Sequence, residues 1–246
     1  MTEPIRLSKY IADLKGCSRR EAELYIEGGG VKVNGRAANV SGTKISDRDT
    51  VELLPEAKPE PVAPVTILLH KPPGFDADEV GPRPALQLLT PERHAAGDRS
   101  GIRTVQRHFV QQPCVTSLET GASGLVVFSQ DWRIKRKLQE DAAQIEHEVM
   151  VDVAGMVPAD ALLHLNRAPV IDGRAMLPAK VSMSRSNDNA TGLRFAVKGH
   201  WPGQIAHLCD TVHLRMTAMK RIRVGRITLS GLEVGQWRYL LPYERF

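Results

Sequence analysis

The chain of 246 residues is long enough for one large and one small domain with a substantial buried core. Its net charge of +5 and pI near 9.2 are compatible with a polyanionic partner, although proteins that bind nothing acidic share such a balance. The N-terminus lacks an apolar signal core, and no run approaches the roughly 18 apolar residues that a membrane span needs. We therefore expect a cytoplasmic protein with no membrane partner.

The cysteines are spread along the chain without metal-ligand spacing: Cys17, Cys114 and Cys209. An odd number of distant cysteines is typical of reduced thiols in a cytosolic protein. We predict neither disulfides nor a metal site.

Two short helices and a hairpin are predicted at the N-terminus. The apolar residues of the first helix recur at three- and four-residue steps before Gly16: Leu7, Tyr10, Ile11 and Leu14. Ser18 and Glu21 have the spacing of a capping box that begins the second helix. Residues 31–35, VKVNG, predict a strand that enters an Asn-Gly turn.

Residues 17–22, CSRREA, match the start of the second helix in S4 RNA-binding domains, and the resemblance runs from about residue 6 to residue 53. Arg19 and Arg20 at a helix start are suited to grip phosphates together with backbone amides. Further basic residues extend this predicted RNA-binding surface: Lys9, Lys32 and Arg36. The alternative is a solvated helix face that is basic for no functional reason.

Prolines mixed with Glu and Lys interrupt residues 55–64, a composition that neither a helix nor a central strand accommodates. We predict a domain at residues 1–54, a linker at residues 55–64 and a larger domain at residues 65–246.

Residues 115–128, VTSLETGASGLVVF, place one carboxylate, Glu119, between apolar residues and a glycine-containing turn. We expect Gly121 and Gly124 to allow a tight turn and residues 125–128 to form a buried strand. Without other information, Glu119 is more readily interpreted as a solvated loop residue.

This stretch resembles the active-site motif of the S4-domain-containing pseudouridine synthases of ribosomal RNA, in which Gly-Arg-Leu-Asp, two residues, Ser or Thr, one residue and Gly-Leu follow one another. The resemblance places Glu119 at the family's catalytic aspartate and Ser117 at its arginine. Residues 65–69, VTILL, predict an apolar strand that ends in a sharp turn. In this turn Lys71, Pro72 and Gly74 match the family's Asn-Lys-Pro-x-Gly, where His70 replaces the asparagine. The turn either lies beside the cleft or is a plain strand-end loop.

Two further family motifs are altered. In residues 145–153, IEHEVMVDV, which predict a half-buried strand, His147 stands at a lysine position and Val149 at the position of the tyrosine that packs against the target base. In residues 202–208, PGQIAHL, Gly203 and Ala206 replace arginines, and the surviving apolar residues favour a packing role.

Residues 131–140 predict a helix with a basic outer face formed by Arg133, Arg136 and Lys137. This face is either an RNA contact or a solvated surface. Near the C-terminus, Trp237 belongs to a Leu-x-x-Gly-x-Trp-Arg ending shared with the family, and we expect it to anchor the core.

The resemblance implies an α+β protein: a small S4 domain followed by a pseudouridine-synthase-like domain built on a long, mostly antiparallel sheet with flanking helices. It also implies isomerisation of uridine in structured ribosomal RNA without a metal or organic cofactor, through Glu119 with Lys71 or another cation as its partner. We expect the protein to be a monomer. Because the acid, the arginine and the tyrosine are all replaced, a second hypothesis stays open. In it the chain is a catalytically silent RNA-binding relative that acts in ribosome assembly or regulation.

Overall fold

The computed structural model describes residues 3–78, 80–168, 170, 171, 173–175, 177–187, 189–199 and 202–246. The chain divides into two compact units. Unit 1 comprises Met1–Pro64 and Ile102–Gln111, and unit 2 comprises Val65–Gly101 and Gln112–Phe246. No sequence pattern indicated that residues 102–111 return to unit 1.

Unit 1 contains two helices and five short strands: β1 (Ile5–Arg6), α1 (Leu7–Lys15), α2 (Arg19–Glu27), β2 (Val31–Val33), β3 (Arg36–Ala37), β4 (Lys44–Ile45) and β5 (Val51–Leu53). Strand β2 pairs antiparallel with β3 and β5, and β1 pairs with β4. The two helices and the hairpin predicted from the sequence are therefore confirmed.

Local chemistry fixes the ends of these elements. Gly16 ends α1 in the left-handed conformation, with φ at 63°. Ser18 and Glu21 form the predicted capping box, in which each side chain accepts the other residue's backbone N–H. The turn between β2 and β3 has positive φ at Asn34 (52°) and Gly35 (75°), as an Asn-Gly hairpin requires.

The helices of unit 1 enclose a small core in which Leu7, Ile11, Ala22 and Ile26 are fully buried. Leu14 was expected on the buried face of α1 but is 54% exposed, so that expectation was wrong. The apolar face of α1 is narrower than its sequence spacing suggests because the helix ends one turn after Ile11.

Residues 102–111 are tied to the first unit by side-chain contacts. Arg103 Nη2 donates to the carbonyl of Gly29 at 2.6 Å, and its Nη1 lies 3.9 Å from the carboxylate of Glu56. Val105 is 4% exposed. This segment completes the packing of unit 1 although it is distant in sequence.

Unit 2 contains the remaining strands and helices: β6 (Thr66–Lys71), β7 (Ser123–Ser129), α3 (Trp132–Gln139), β8 (Glu146–Ala154), α4 (Ala159–Leu165), β9 (Val170–Ile171), β10 (Arg174–Ala175), β11 (Lys180–Ser186), β12 (Ala190–Lys198), α5 (Gln204–Thr211), β13 (Met216–Val224), β14 (Ile227–Thr228) and β15 (Trp237–Tyr239). The strands predicted at residues 65–69, 125–128 and 145–153 correspond to β6, β7 and β8.

One large sheet organises unit 2, in the order β11-β12-β8-β13-β7-β6-β15 with β14 paired to β13. The pair β13–β7 is parallel, whereas the other pairs in this sheet are antiparallel. The predicted α+β architecture with a long, mostly antiparallel sheet is confirmed.

The core of unit 2 follows the sheet. Residues 125–128 of β7 are fully buried, as predicted. Trp237 is also fully buried; its ring stacks on His94 with centroids 4.2 Å apart, and its Nε1 donates to the carbonyl of Thr90 at 2.7 Å. Its expected role as a core anchor is confirmed.

All three cysteines are free thiols. Among the described residues, no helix is both long enough and apolar enough to cross a membrane.

Candidate active site

Glu119 lies in the turn that precedes β7, where it is half-buried. Its Oε1 accepts the backbone N–H of Gly203 at 2.8 Å. Gly203 caps the N-terminus of α5 and has a positive φ of 84°. Because the amide dipoles of a helix place partial positive charge at its N-terminus, this position favours a carboxylate. The fold therefore brings together the predicted acid and one of the altered family positions.

Lys71 holds the backbone of this turn. Its Nζ donates to the carbonyls of Ala122 (2.6 Å) and Thr120 (3.3 Å), on either side of Gly121. It also donates to the carbonyl of Phe75 at 2.7 Å. The sequence motif placed Lys71 in a turn, but the structure corrects this: Lys71 is the last residue of β6 and is fully buried.

Burial, together with the nearby charge of Arg221, lowers the pKa of Lys71 to about 8, while Asp76 and Glu119 oppose the change. A second brace comes from Thr120, whose Oγ1 donates to Asp76 Oδ1 at 2.6 Å. This hydroxyl and the amide of Arg83 lower the pKa of Asp76. Both sides of the Glu119 turn are thus fixed by hydrogen bonds.

Arg221 in β13 is a fully buried cation that the sequence analysis did not select. It donates to the carbonyls of Leu125 and Ser117, both at 2.7 Å, and to Thr116 Oγ1 at 3.2 Å. Burial lowers the pKa of Arg221 to about 10, against the opposing charges of Cys114 and Glu119. Arg221 therefore brings a buried guanidinium from another strand to the backbone of residues 116–117.

The pairing of β13 with β8 is irregular next to Arg221: the register shifts between Arg221 and Arg223, so two residues of β13 oppose a single step of β8. Arg221 is buried and reaches the 116–117 segment, whereas Arg223, beyond the shift, pairs with Glu146 and Glu148.

The two glycines of the turn play different parts. Gly124 has a φ of 124°, and a Cβ there would lie 2.3 Å from the carbonyl oxygen of Arg221. Only glycine allows β7 to approach β13 this closely. A Cβ at Gly121 would meet open space, and the φ of Gly121 is not positive, so the expectation that both glycines shape the turn is corrected for Gly121.

The other altered family positions serve packing. Val149 is fully buried in β8, in register with Phe195 of β12 and Arg221 of β13. Ala206 is half-buried on α5, where Ile205 and Leu208 are buried as expected. Ser117 is half-buried and contributes its carbonyl to Arg221.

His147 stands beside this cluster and is 7% exposed. Its Nδ1 lies 3.4 Å from Nη1 of Arg221. Because a guanidinium has only donors, a hydrogen bond across this contact requires an unprotonated Nδ1.

In unit 1, the fold brings Lys9 of α1 and Arg19 of α2 to a shared pocket of about 370 Å³. Arg6, which the sequence analysis did not select, lines the same pocket. Arg20 lies 3.6 Å from Glu23, which is also 3.8 Å from Arg19. The remaining predicted contacts, Lys32 and Arg36, lie on the β2–β3 hairpin outside that lining.

The three predicted contact residues of α3 each face an acid close by in the chain. The pairs are Arg133 with Asp131 at 2.8 Å, Arg136 with Glu140 at 3.0 Å, and Lys137 with Asp141 at 3.7 Å. These pairs are solvent-exposed and weak, but they offset the positive charge of the surface on which an RNA contact was predicted.

Comparison with known proteins places these features in context. Residues 5–51 match the S4 domain family. Over 97% of its length the chain is 27% identical to ribosomal large subunit pseudouridine synthase B of Bacillus subtilis, of which 93% is covered. Over 98% of its length it is 25% identical to the dual-specificity RNA pseudouridine synthase RluF of Escherichia coli, of which 77% is covered.

The fold agrees with these relatives. A crystal structure of a pseudouridylate synthase superimposes with a TM-score of 0.59 at 18% identity, and 96% of each chain is covered. The resemblance found in the sequence is confirmed, and the chain is an S4-domain-containing relative of the ribosomal RNA pseudouridine synthases.

Proposed function

We propose that this protein binds structured ribosomal RNA and isomerises uridine to pseudouridine, with Glu119 in the role of the catalytic acid. The observation that carries the proposal is the 2.8 Å hydrogen bond from the Gly203 amide to Glu119 Oε1, in a turn braced by two buried cations. A carboxylate held in this way has a defined position and a favourable electrostatic environment, which are the two properties that such a group needs.

The replacement of aspartate by glutamate has a structural counterpart. One added methylene displaces a carboxylate by about 1 Å, and a misplacement of this size costs about 100-fold in rate when nothing compensates for it. Here the longer side chain reaches the N-terminus of α5, the helix in which Gly203 and Ala206 stand in place of arginines. The partial positive charge at the start of α5 thus takes over part of the electrostatic role of the arginines that Gly203 and Ala206 replace.

We assign different parts to the other predicted site residues. Lys71 and Arg221 act as positioning residues, because their donors are directed at backbone carbonyls of the turn. In unit 1, Lys9, Arg19, Arg20, Lys32 and Arg36 provide the phosphate contacts. The chemistry uses no metal or organic cofactor, since a carboxylate suffices as the nucleophile or as the support for a charged intermediate.

The choice of ribosomal RNA rests on the names of the relatives, since the Bacillus subtilis protein is called a ribosomal large subunit pseudouridine synthase. In its simplest form, the proposal is that the protein acts on this substrate as a cytoplasmic monomer.

A second candidate is a silent RNA-binding relative. It is favoured by Val149, which is fully buried between its strand neighbours and offers no ring to stack on a flipped base. In this case Glu119 serves only to anchor the turn to α5.

The deciding experiment counts pseudouridine in ribosomal RNA transcripts by a carbodiimide-based mass assay. Glu119→Gln keeps an acceptor for the Gly203 amide but removes the charge, and Glu119→Ala removes both. We expect both variants to lose at least about 100-fold in rate relative to the wild type. The matched control is Glu233→Gln, an exposed acid of unit 2.

If the wild-type protein retains the transcripts in filter binding but forms no pseudouridine, the silent candidate replaces the proposal. If Glu119→Gln is as active as the wild type, another group performs the chemistry.

A further inference from the structure

A pocket of about 380 Å³ lies beside the Glu119 turn in unit 2. Its polar lining includes Asp78, Ser117, Gln139 and His147, and Leu138 and Ala142 contribute apolar surface. We call it the Gln139 pocket. Its volume is within the range of roughly 300–1,000 Å³ typical of small-molecule sites.

The chemistry of the lining suits a flat heteroaromatic ring. Gln139 offers both a donor and an acceptor, and Asp78 offers acceptors alone. Apolar walls with polar groups that read the edges of a ring are the usual composition of a nucleobase site.

The same lining disfavours a phosphate. Asp78 introduces a negative charge, and Arg221 is fully buried with its donors directed at the 116–117 segment and Leu125. An anion in the pocket would face a carboxylate without an accessible guanidinium.

The pocket is also separate from the acid. The carboxylate of Glu119 is directed to Gly203 at the start of α5, and Glu119 is not among the described residues that line the pocket. Ser117, two residues before Glu119, does line it. A nucleotide in the pocket would therefore be a neighbour of the nucleotide at Glu119.

We propose that the Gln139 pocket binds a second nucleobase of the RNA, adjacent to the target uridine, and prefers a base that carries an exocyclic amino group. This inference rests on the proposed function and adds a determinant of which uridine is chosen. Cytosine, adenine and guanine can donate an amino hydrogen to Asp78 while their ring acceptors face the side-chain amide of Gln139. Uracil has no amino group and fits this pattern less well.

The first test compares two phenylalanine substitutions in one short segment of the full-length protein. Ala142→Phe fills the pocket, whereas Ala143→Phe adds the same ring at the exposed neighbouring position. We expect Ala142→Phe to raise the Kd for a ribosomal RNA transcript about tenfold, the value of one lost base contact, and Ala143→Phe to leave it unchanged.

A second pair avoids any risk to folding. Gln139→Ala removes the amide from an exposed helix end, and Gln144→Ala changes the same residue type at an exposed position outside the pocket lining. We expect about a two- to tenfold weaker Kd for the first variant alone. Equal Kd values for both members of both pairs would overturn the assignment.

The second test does not depend on ribosomal RNA. The protein is titrated with CMP, AMP, GMP and UMP while NMR follows the side-chain amide of Gln139. We expect shifts with the three amino-bearing nucleotides, weaker shifts with UMP, and none in Ala142→Phe. If the protein shows these shifts but does not bind the transcripts, the proposed function is overturned and the pocket assignment stands. If the protein modifies the transcripts but shows no shifts, the pocket assignment is overturned and the proposed function stands.

Discussion

The basic face of unit 1 and the Glu119 turn of unit 2 use cations in opposite ways. In unit 1 the side chains of Arg19 and Arg20 are 60% and 67% exposed, and the acid near both is three or four residues away in the chain. At the turn, Lys71 and Arg221 are fully buried, and they reach carbonyls 49 to 105 residues distant in sequence. One region exposes its charges to solvent, and the other uses them to hold its own backbone.

This difference explains why family motifs survive unevenly. A surface that contacts RNA through exposed side chains needs those residues in a local order, and residues 17–22 retain it. A catalytic turn needs a geometry, which different residues supply here: the Gly203 amide and the guanidinium of Arg221. Replaced motif residues are therefore a weaker sign of lost function than an altered site geometry.

The strongest test of the interior role is Arg221→Ala. The change leaves two buried carbonyls and one hydroxyl without their donor, each at a cost of about 1–3 kcal/mol. We expect the free energy of unfolding of unit 2 to fall by about 3–5 kcal/mol in urea titrations. The exposed Arg226→Ala should change it by less than about 0.5 kcal/mol, and equal effects of the two variants would contradict the comparison.

The lowered pKa of Lys71 predicts that the free energy of unfolding depends on pH, with an effect smaller than that of Arg221→Ala. Between about pH 8 and pH 10.5, the unfolded chain holds a proton on Lys71 that the folded chain has released. Unfolding then takes up a proton, so stability rises with pH in this window. Relative to Lys71→Met, we expect a gain of about 2–3 kcal/mol, because each unit of lowered pKa corresponds to about 1.4 kcal/mol. Parallel pH profiles of the two proteins would show that the folded pKa of Lys71 is normal.

The surface role is tested by Arg19→Ala combined with Arg20→Ala. We expect RNA binding to weaken about tenfold at low salt and the salt dependence of the binding constant to lose a slope of about 1.5, while stability stays unchanged. The matching double variant, Arg133→Ala with Arg136→Ala, should have less effect because Asp131 and Glu140 already pair with these arginines. Equal losses of RNA affinity in the two double variants would show that α3 also contacts RNA.

The smallest expected effect concerns the capping box. Ser18→Ala removes the acceptor of the Glu21 amide and should destabilise unit 1 by about 1 kcal/mol, as measured by hydrogen exchange in α2. Ser41→Ala, in the loop between β3 and β4, is the control. A loss of RNA affinity without this loss of stability would mean that Ser18 contacts RNA directly.

Much of the fold was predictable from the sequence. The ends of α1 and α2, the Asn-Gly hairpin and the strands around residues 67, 126 and 149 depend on residues that are neighbours in the chain. Leu14 was misplaced because helical spacing shows which residues share a face but not where a partner element ends. The return of residues 102–111 to unit 1 depends on contacts such as Arg103 with Gly29, which no local pattern contains.

The sequence by itself identified the S4 domain, the α+β class and Glu119 as the residue at the family's acid position, because helix caps, strand alternation and motif spacing are local properties. Only the tertiary structure revealed that the Gly203 amide donates to the carboxylate of Glu119. It also revealed that Lys71 and Arg221 are buried and that His147 lines a pocket. Buried cations give no hydrophobic periodicity, and their partners are backbone carbonyls whose positions are fixed only when distant strands pair.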